Sequence, residues 1–433
     1  MKFSFYTLGC KVNQYETQAM EQRLLALGHS LGSFSETCDG YIINTCTVTA
    51  VADKKSRGII RRCRRLNPQA VVGACGCYAQ VNPQAIRALG VDVLSGSAGR
   101  EAFLDMMVQA AYDRIRREAL DKPMTRREFE PLPAGGLEAR TRAMLKVQDG
   151  CSNFCSYCII PYARGPVRSA RLDWAVAQAK VLAETGYQEI VITGIEIAAW
   201  GRDLEGKQTI VDLTEAICLA VPSLRIRLGS LEPRVVTEEF CSRLRNLPNL
   251  CPQFHLSLQS GSDSVLARMR RRYDSARYWQ SVELLRQSFP GCAITTDLIV
   301  GFPGETEEEF QASLDFLRRC RFAAVHVFPY SRRPGTPAAS MPNQIPKAEK
   351  EARASAAGQV AAELEQAFLD SLTGTVQPVL FEEAAGNRLY VGHASNYAKV
   401  YAQGENLHNV LLPVRITGRY AGGLLGKPIP ISE

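Results

Sequence analysis

Cys151, Cys155 and Cys158 place three thiols in one short stretch, Cys151-Ser-Asn-Phe-Cys155-Ser-Tyr-Cys158. Thiolates are soft ligands suited to zinc and to iron–sulfur clusters. A structural zinc site closes a tetrahedron with four ligands, usually two separated pairs, and this loop offers three with no fourth nearby. A [4Fe–4S] cube given only three thiolates keeps one iron open to a small molecule, the same open-position logic that separates catalytic from structural zinc. In a chain of 433 residues with 14 cysteines, this spacing would arise by chance roughly 0.015 times. Chance is a poor explanation.

A second trio emerges from the elements that must position it. Over residues 1–96, strand-like runs at Lys2–Leu8, Tyr41–Asn44, Val71–Ala74 and Val91–Leu94 alternate with helical segments, one of them over 14–27 and ending at Gly28. This rhythm predicts a small parallel sheet with helices on both faces. Cys10, Cys46 and Cys77 each fall two or three residues beyond a strand end. Open α/β sheets bind ligands outside the carboxyl ends of their strands, so these thiols are expected to converge there. The competing reading is that each is a small buried hydrophobe. Cys75 shares strand parity with Cys77, and spacing alone does not separate them.

Composition bounds the rest. The hydrophobic fraction of 46% with 22% charged residues fits a globular protein of two to four domains. No run approaches the eighteen apolar residues of a membrane span, and the N-terminus lacks a signal-peptide pattern. So many cysteines without a leader argue for a reducing, cytoplasmic setting with metal-bound thiols rather than disulfides. The net charge of +7 is compatible with a polyanionic partner but does not demand one. Basic residues cluster at Lys54–Arg65 and at Arg268, Arg270, Arg271 and Arg272; each group reads equally as a solvated face.

Residues 99–140 read as a linker, with a helical stretch from Glu101 to about Leu120 and a turn-rich hinge at Pro131–Gly136. From 141 a larger βα rhythm begins, with strands expected at 143–147, Glu189–Thr193, Arg225–Gly229, Gln253–Leu258, Ala293–Val300 and Ala323–Phe328. Six such units make an open, partial (β/α)6 barrel with its chemistry at the strands' carboxyl ends. A long helix over 345–374 follows. Short strands at Val376–Phe381, Leu389–Gly392, Tyr397–Ala402, Val410–Ile416 and Arg419–Ala421 then suggest a small five-stranded β-barrel. Tyr397, Tyr401 and His408 are candidates either to stack on bases or to fill that barrel.

The loop at Cys151, preceded by Ala143–Val147 and followed by Ile159-Ile-Pro-Tyr-Ala-Arg-Gly165, resembles the cluster loop of radical S-adenosylmethionine (SAM) enzymes. Leu8-Gly-Cys10-Lys-Val-Asn-Gln-Tyr-Glu16, Asn44-Thr-Cys46-Thr-Val and Gly76-Cys77-Tyr-Ala-Gln80 resemble the N-terminal domain of the methylthiotransferases, and the family words select Cys77 over Cys75. The resemblance spans essentially the whole chain. It implies an N-terminal α/β domain over 1–98, the linker 99–140, a radical SAM core with trailing helix over 141–372, and an RNA-binding TRAM β-barrel over 373–433. It also implies two [4Fe–4S] clusters as cofactors, on Cys151, Cys155 and Cys158 and on Cys10, Cys46 and Cys77. SAM would chelate the open iron of the first and be cleaved by one electron to a 5′-deoxyadenosyl radical. Gly194 and Glu196 in Ile192–Glu196, Ser230 and Glu232 in Arg227–Pro233, and Gln259 in His255–Ser262 match segments that family members place beside SAM. For Gly301 and Gly304 a tight turn is the simpler reading. No residue is assigned as a catalytic acid or base.

Methylthiolation replaces an unactivated aromatic C–H with C–S, which acid–base steps do not achieve at neutral pH. The word around Cys10 is similar to the branch acting on C2 of N6-threonylcarbamoyladenosine beside the tRNA anticodon (position 37). The isopentenyladenosine branch typically carries Gly-Cys-Gln-Met-Asn, and the ribosomal-protein branch Gly-Cys-Pro-Lys-Asn. Both substrates are alternatives, as is an iron–sulfur carrier or electron-transfer protein, which would need fully ligated clusters. The partners implied are tRNA, SAM, a sulfur donor and a reductant such as flavodoxin or ferredoxin. Arg332 and Arg333, after the last core strand, are candidates to meet tRNA phosphates.

Overall fold

The structure, a computed structural model, describes residues 1–135 and 141–429. Gly136 of the expected hinge, the end of the expected linker and residues 430–433 of the expected β-barrel segment lie outside the described residues.

Six parallel strands form the N-terminal sheet: β1 (Lys2–Thr7), β2 (Ser30–Leu31), β3 (Gly40–Thr45), β4 (Val71–Gly76), β5 (Val93–Ser95) and β6 (Arg117–Ala119), in the order β2-β1-β3-β4-β5-β6. The central strands β3 and β4 are buried throughout, because helices cover both faces. Ile42, Val71 and Cys75 pack with Phe3, Met20 and Phe103 on one side. Tyr41, Ile43, Val72 and Ala74 pack with Ile60, Cys63 and Tyr78 on the other. Successive residues of a strand point to opposite faces, so a doubly covered strand reads as an unbroken apolar run. The short edge strands β2 and β6 leave no such run and were not expected. Part of the segment 99–140 expected to be a linker belongs to this sheet. Its helix spans Arg100–Asp113 and stops where Arg114 turns left-handed, after which β6 pairs with β5.

The core contains β7 (Arg142–Lys146), a short antiparallel pair β8 (Gln148–Asp149) and β9 (Arg168–Ser169), then β10 (Glu189–Thr193), β11 (Arg225–Leu228), β12 (Ser230–Leu231), β13 (Gln253–Leu256), β14 (Ala293–Val300) and β15 (Ala324–Pro329). The order β7-β10-β11 continues into β12-β13-β14-β15, since β12 extends β11 past Gly229. The result is the expected six-position parallel arc with helices packed outside it.

After the helix Lys347–Ser371, β16 (Val376–Gly386), β17 (Leu389–Ala394), β18 (Lys399–Gln403), β19 (Leu411–Tyr420) and β20 (Gly423–Pro428) close into a barrel ordered β16-β17-β18-β20-β19. The last expected strand, Arg419–Ala421, is instead the end of β19 and its turn. Ala421 and Gly422 both adopt positive φ, 45° and 72°, the backbone of a tight hairpin turn. The pairing strand follows that turn.

The small barrel docks against the starts of the core strands. Arg225 donates to the carbonyls of Pro378 and His393, Arg227 to that of Ser395, and Arg142 pairs with Glu382 at 2.7 Å. Among the described residues no helix is long and apolar enough to cross a membrane.

Candidate functional site: two cysteine trios facing one interface

The loop from Cys151 to Cys158 is pinned from several directions. Gly150 sits at φ +72°, where a Cβ would lie 1.9 Å from the Pro166 carbonyl oxygen. Only glycine fits so close an approach in that conformation. The Cys151 amide donates to the Gly165 carbonyl at 3.0 Å, the Ser156 amide to Met269 at 3.0 Å, and the Ser156 hydroxyl to Arg268 at 2.8 Å. Phe154 takes φ +48°, which folds the loop so that its three sulfurs lie within electrostatic range of one another. Burial pushes the Cys151 and Cys158 thiols up to about 12. A cation balances Cys155: Arg271 Nη1 donates to its sulfur at 3.2 Å.

The second trio is assembled by topology. β1, β3 and β4 are adjacent, and their carboxyl ends deliver Cys10, Cys46 and Cys77. Cys10 caps the helix Lys11–Ala26, and Cys77 opens the helix Cys77–Val81. Gly9, at φ +108°, leaves room for Cys46, whose sulfur would lie 3.0 Å from a Cβ there. Gly76 (φ +96°) breaks the strand alternation between Cys75 and Cys77. Cys75 therefore stays in the apolar core with Phe3 and Met20, while Cys77 turns toward Cys10 and Cys46. Burial raises the Cys46 thiol to about 11 and raises Cys77 as well, the latter opposed by Arg164.

Arg164 joins the two regions. It follows the first trio by six residues, yet its Nε donates to Cys77 Sγ at 3.3 Å. Its Nη atoms reach Glu16 at 2.7 Å, Asp149 at 3.1 Å and Asn13 at 2.7 Å. Glu16 also pairs with Arg100 at 2.7 Å and Lys146 at 2.9 Å, and Lys146 with Asp149 at 2.7 Å. All five charged side chains are at most 5% exposed. Burial alone would raise the two carboxyls, but Arg164 and Lys146, joined by Arg100 at Glu16 and by Arg168 at Asp149, outweigh it and hold both below the ordinary range. Cys158 and Cys77 lie within electrostatic range of each other. The trios thus share one interface.

The expected cofactor-site residues gather at the carboxyl ends of the core strands. Gly194 follows β10, and a Cβ there would meet Gln148 oxygens at 2.9 Å. Glu196 is held by Gln148, which accepts from its amide at 2.7 Å, and by Asn153, which donates to its Oε2 at 3.2 Å. Its buried Oε1 has no partner among the described residues, and burial raises its carboxyl to about 7. Ser230 is exposed and bonded to Ser257 at 3.0 Å. Glu232 is buried and pairs with Arg234 at 2.8 Å. Gln259, at φ +73°, bridges to β14 and is buried.

No group of three or more His, Cys, Asp or Glu side chains among the described residues is set to clasp a single metal ion. A cube spreads its thiolates around a cluster instead of a point. Each trio offers three soft donors flanked by a guanidinium, and an unpaired carboxylate oxygen stands within electrostatic range of Cys151. This donor set fits two iron–sulfur clusters and an amine-bearing ligand at the first.

Arg333 is 5% exposed, and its Nη2 donates to Thr47 at 2.6 Å and to Asp53 at 2.7 Å, clamping the core to the N-terminal domain. Arg332 is exposed, with its Nε on the Ala339 carbonyl at 2.7 Å. Tyr397 does not fill the barrel but stands exposed on it. It stacks on His393 with centroids 4.6 Å apart and faces Arg227 and Arg142 at 4.7 and 5.3 Å. Tyr401 packs edge-on to Tyr420; His408 is exposed. The basic groups divide. Lys54, Lys55, Arg61, Arg62 and Arg65 stay exposed on the helix Ala50–Leu66, whereas Arg268 pairs with Glu309 and Arg271 serves Cys155. Arg164, Lys146 and Lys11 were not singled out from sequence, and Arg271 only as one of a basic group. Only the fold brings them to the site.

Two family models match: the radical SAM superfamily over residues 145–317 and Uncharacterized protein family UPF0004 over residues 2–96. The chain is 39% identical to the threonylcarbamoyladenosine tRNA methylthiotransferase MtaB of Bacillus subtilis, over 95% of this chain and 93% of that one. It is 36% identical to the protein of that name from Aquifex aeolicus, over 93% and 97%. It is 33% identical to the tRNA-2-methylthio-N(6)-dimethylallyladenosine synthase of Syntrophomonas wolfei, over 99% and 97%. Among solved structures, the radical SAM methyltransferase TsrM of Kitasatospora setae, with cobalamin and a [4Fe–4S] cluster bound, shares the fold at a TM-score of 0.59. It is 16% identical, and the match covers 78% of this chain and 74% of that one.

Proposed function

We propose that this chain, which belongs to the radical SAM methylthiotransferase family, is a transferase that adds a methylthio group to N6-threonylcarbamoyladenosine in tRNA, at C2 of the base beside the anticodon. The observation that carries the reading is the meeting of two cysteine trios at one interface, with Arg164 bonded into both regions. A carrier protein has no use for two open clusters facing each other.

When bound, the clusters and SAM supply the one-electron chemistry that exchanges an aromatic C–H for C–S. Cys151, Cys155 and Cys158 would hold one cluster, and Cys10, Cys46 and Cys77 the other. The unpaired Oε1 of Glu196 suits the SAM amino group, and Glu232, Ser230, Gln259 and Gly194 line the same rim. Arg271 donates to the Cys155 sulfur, and Arg164 opposes the burial that favours the thiol at Cys77. The buried ion network keeps the two regions in fixed register, which a transfer between them requires.

An unpaired loop base costs less to extrude than a paired one. The exposed cations of the helix Ala50–Leu66, together with Arg332, are suited to the phosphates around it. A sulfur donor and a reductant, of the flavodoxin or ferredoxin type, complete the cycle in a reducing cytoplasm.

The test is anaerobic reconstitution with SAM, reductant and sulfide, followed by nucleoside mass spectrometry of two tRNA pools. One carries N6-threonylcarbamoyladenosine and the other N6-dimethylallyladenosine. Methylthiolation of the first pool alone is expected. Product from the second pool alone would overturn the assignment.

A further inference from the structure

Lys11 directly follows Cys10 and occupies the first turn of the helix Lys11–Ala26. That helix packs Tyr15 and Ala19 against the core, and Glu16 ties it to β7 through Lys146. The Lys11 side chain keeps contact with solvent, and its ammonium has no ion pair or hydrogen bond among the described residues. Its electrostatic neighbours are not on its own domain. They are Tyr397, Arg227, Arg142 and Glu189, the group at the floor of the arc formed by β7, β10 and β11.

That floor is short of negative charge. Glu189 is a single carboxylate shared by two guanidiniums, Arg225 at 2.6 Å and Arg227 at 2.8 Å. Arg142 takes Glu382, which is also bonded to His393 at 2.8 Å. With Lys11 added, four cations meet two carboxylates. A free ammonium beside guanidiniums whose partners are already committed is a place for an anion. Its place directly after Cys10 sets it beside the cysteine trio, within electrostatic range of the charges at the starts of β7, β10 and β11. A base whose C2 approaches the trio would send its N6 substituent into the same space.

The substrates named for the relatives differ in just this charge. A threonylcarbamoyl group carries a free carboxylate, and a dimethylallyl group is apolar. We propose that Lys11 is a specificity-determining residue that receives the carboxylate of the threonylcarbamoyl group, with Arg142 and Arg227 enriching the positive field behind it; this rests on the function proposed above. Lys11 is not a catalytic residue in this scheme. It selects which modified adenine is held.

The experiment measures binding of anticodon stem-loop RNAs to the cluster-reconstituted full chain by fluorescence anisotropy. The RNAs carry N6-threonylcarbamoyladenosine, its carboxylate methyl ester, N6-dimethylallyladenosine or plain adenosine at one position. The wild type should bind the free acid about tenfold tighter than the ester, the size of one charge-assisted hydrogen bond. Lys11→Gln should erase that difference while binding the adenosine RNA as the wild type does, and Lys11→Arg should restore most of it. Iron content unchanged in both variants separates this role from damage at Cys10. A free-acid preference retained by Lys11→Gln, or an equal loss on all four RNAs, would overturn the inference and leave the function intact. A wild type that prefers the dimethylallyl RNA would sink the substrate reading, and Lys11 with it.

Discussion

Cys151, Cys155 and Cys158 come from one loop, whereas Cys10, Cys46 and Cys77 come from the ends of three separate strands. The loop trio is secured by local hydrogen bonds and by a glycine that lets two backbone segments nearly touch. The distributed trio depends on sheet order and on buried charge, since Arg164, contributed by the other domain, donates to Cys77. Both trios offer three soft donors and one adjacent guanidinium. The lesson is that similar ligand sets can rest on different kinds of stability, one local and one tertiary.

The largest expected effect separates the trios outright. The reconstituted wild type should hold about eight irons. Replacing Cys151, Cys155 and Cys158 with alanine should leave about four, and so should replacing Cys10, Cys46 and Cys77. Iron assay and Mössbauer spectra check this. If losing either trio emptied both sites, the independence drawn here would be wrong. Arg164→Met comes next. Removing a cation shared by Glu16 and Asp149 leaves their buried charge only partly balanced by Arg100 and Lys146, and should cost about 3 kcal/mol of stability by denaturant titration. Iron should be lost preferentially at the distributed trio.

Gly76→Ala should cost about 1–3 kcal/mol, because a Cβ at φ +96° would lie 2.5 Å from the Thr45 carbonyl oxygen. It should lower iron at Cys77 and spare the loop. The smallest effect is one of pH on the cluster-free protein. Glu196, raised by burial to about 7 from 4.5, binds its proton more tightly when folded. Its contribution is fully present below about 4.5 and is lost as pH rises through about 7. Glu196→Gln should flatten that part of the stability curve, whereas Glu16 and Asp149, held low, should give no slope there.

How much of this was legible in the sequence follows the same division. The loop trio could be read from spacing, and the distributed trio from strand period plus the rule about strand ends. The central strands announced themselves as apolar runs because helices bury them on both faces. The two-residue strand β2 and three-residue strand β6 left no such pattern. The turn at Ala421-Gly422 hid the last barrel strand, because Arg419–Ala421 alternates much as a strand would. Spacing left Cys75 ambiguous and the family words selected Cys77; the backbone twist at Gly76 supplies the physical reason. Nothing near Arg333 in the sequence reveals that Asp53, far earlier in the chain, is its partner. Lys11 and Arg164 carried no signal of their own, since their meaning comes from residues that are distant in sequence.

The carbonyls of Pro378, His393 and Ser395, all taken by Arg225 and Arg227, have one more consequence. The terminal barrel is a cover over the starts of the core strands. Cutting it away would expose two buried arginines and Glu189 to solvent. A truncated chain that lost activity would therefore report an unsealed core as readily as a lost RNA contact. The two are told apart by neutralising exposed charges on the barrel while leaving its seal in place.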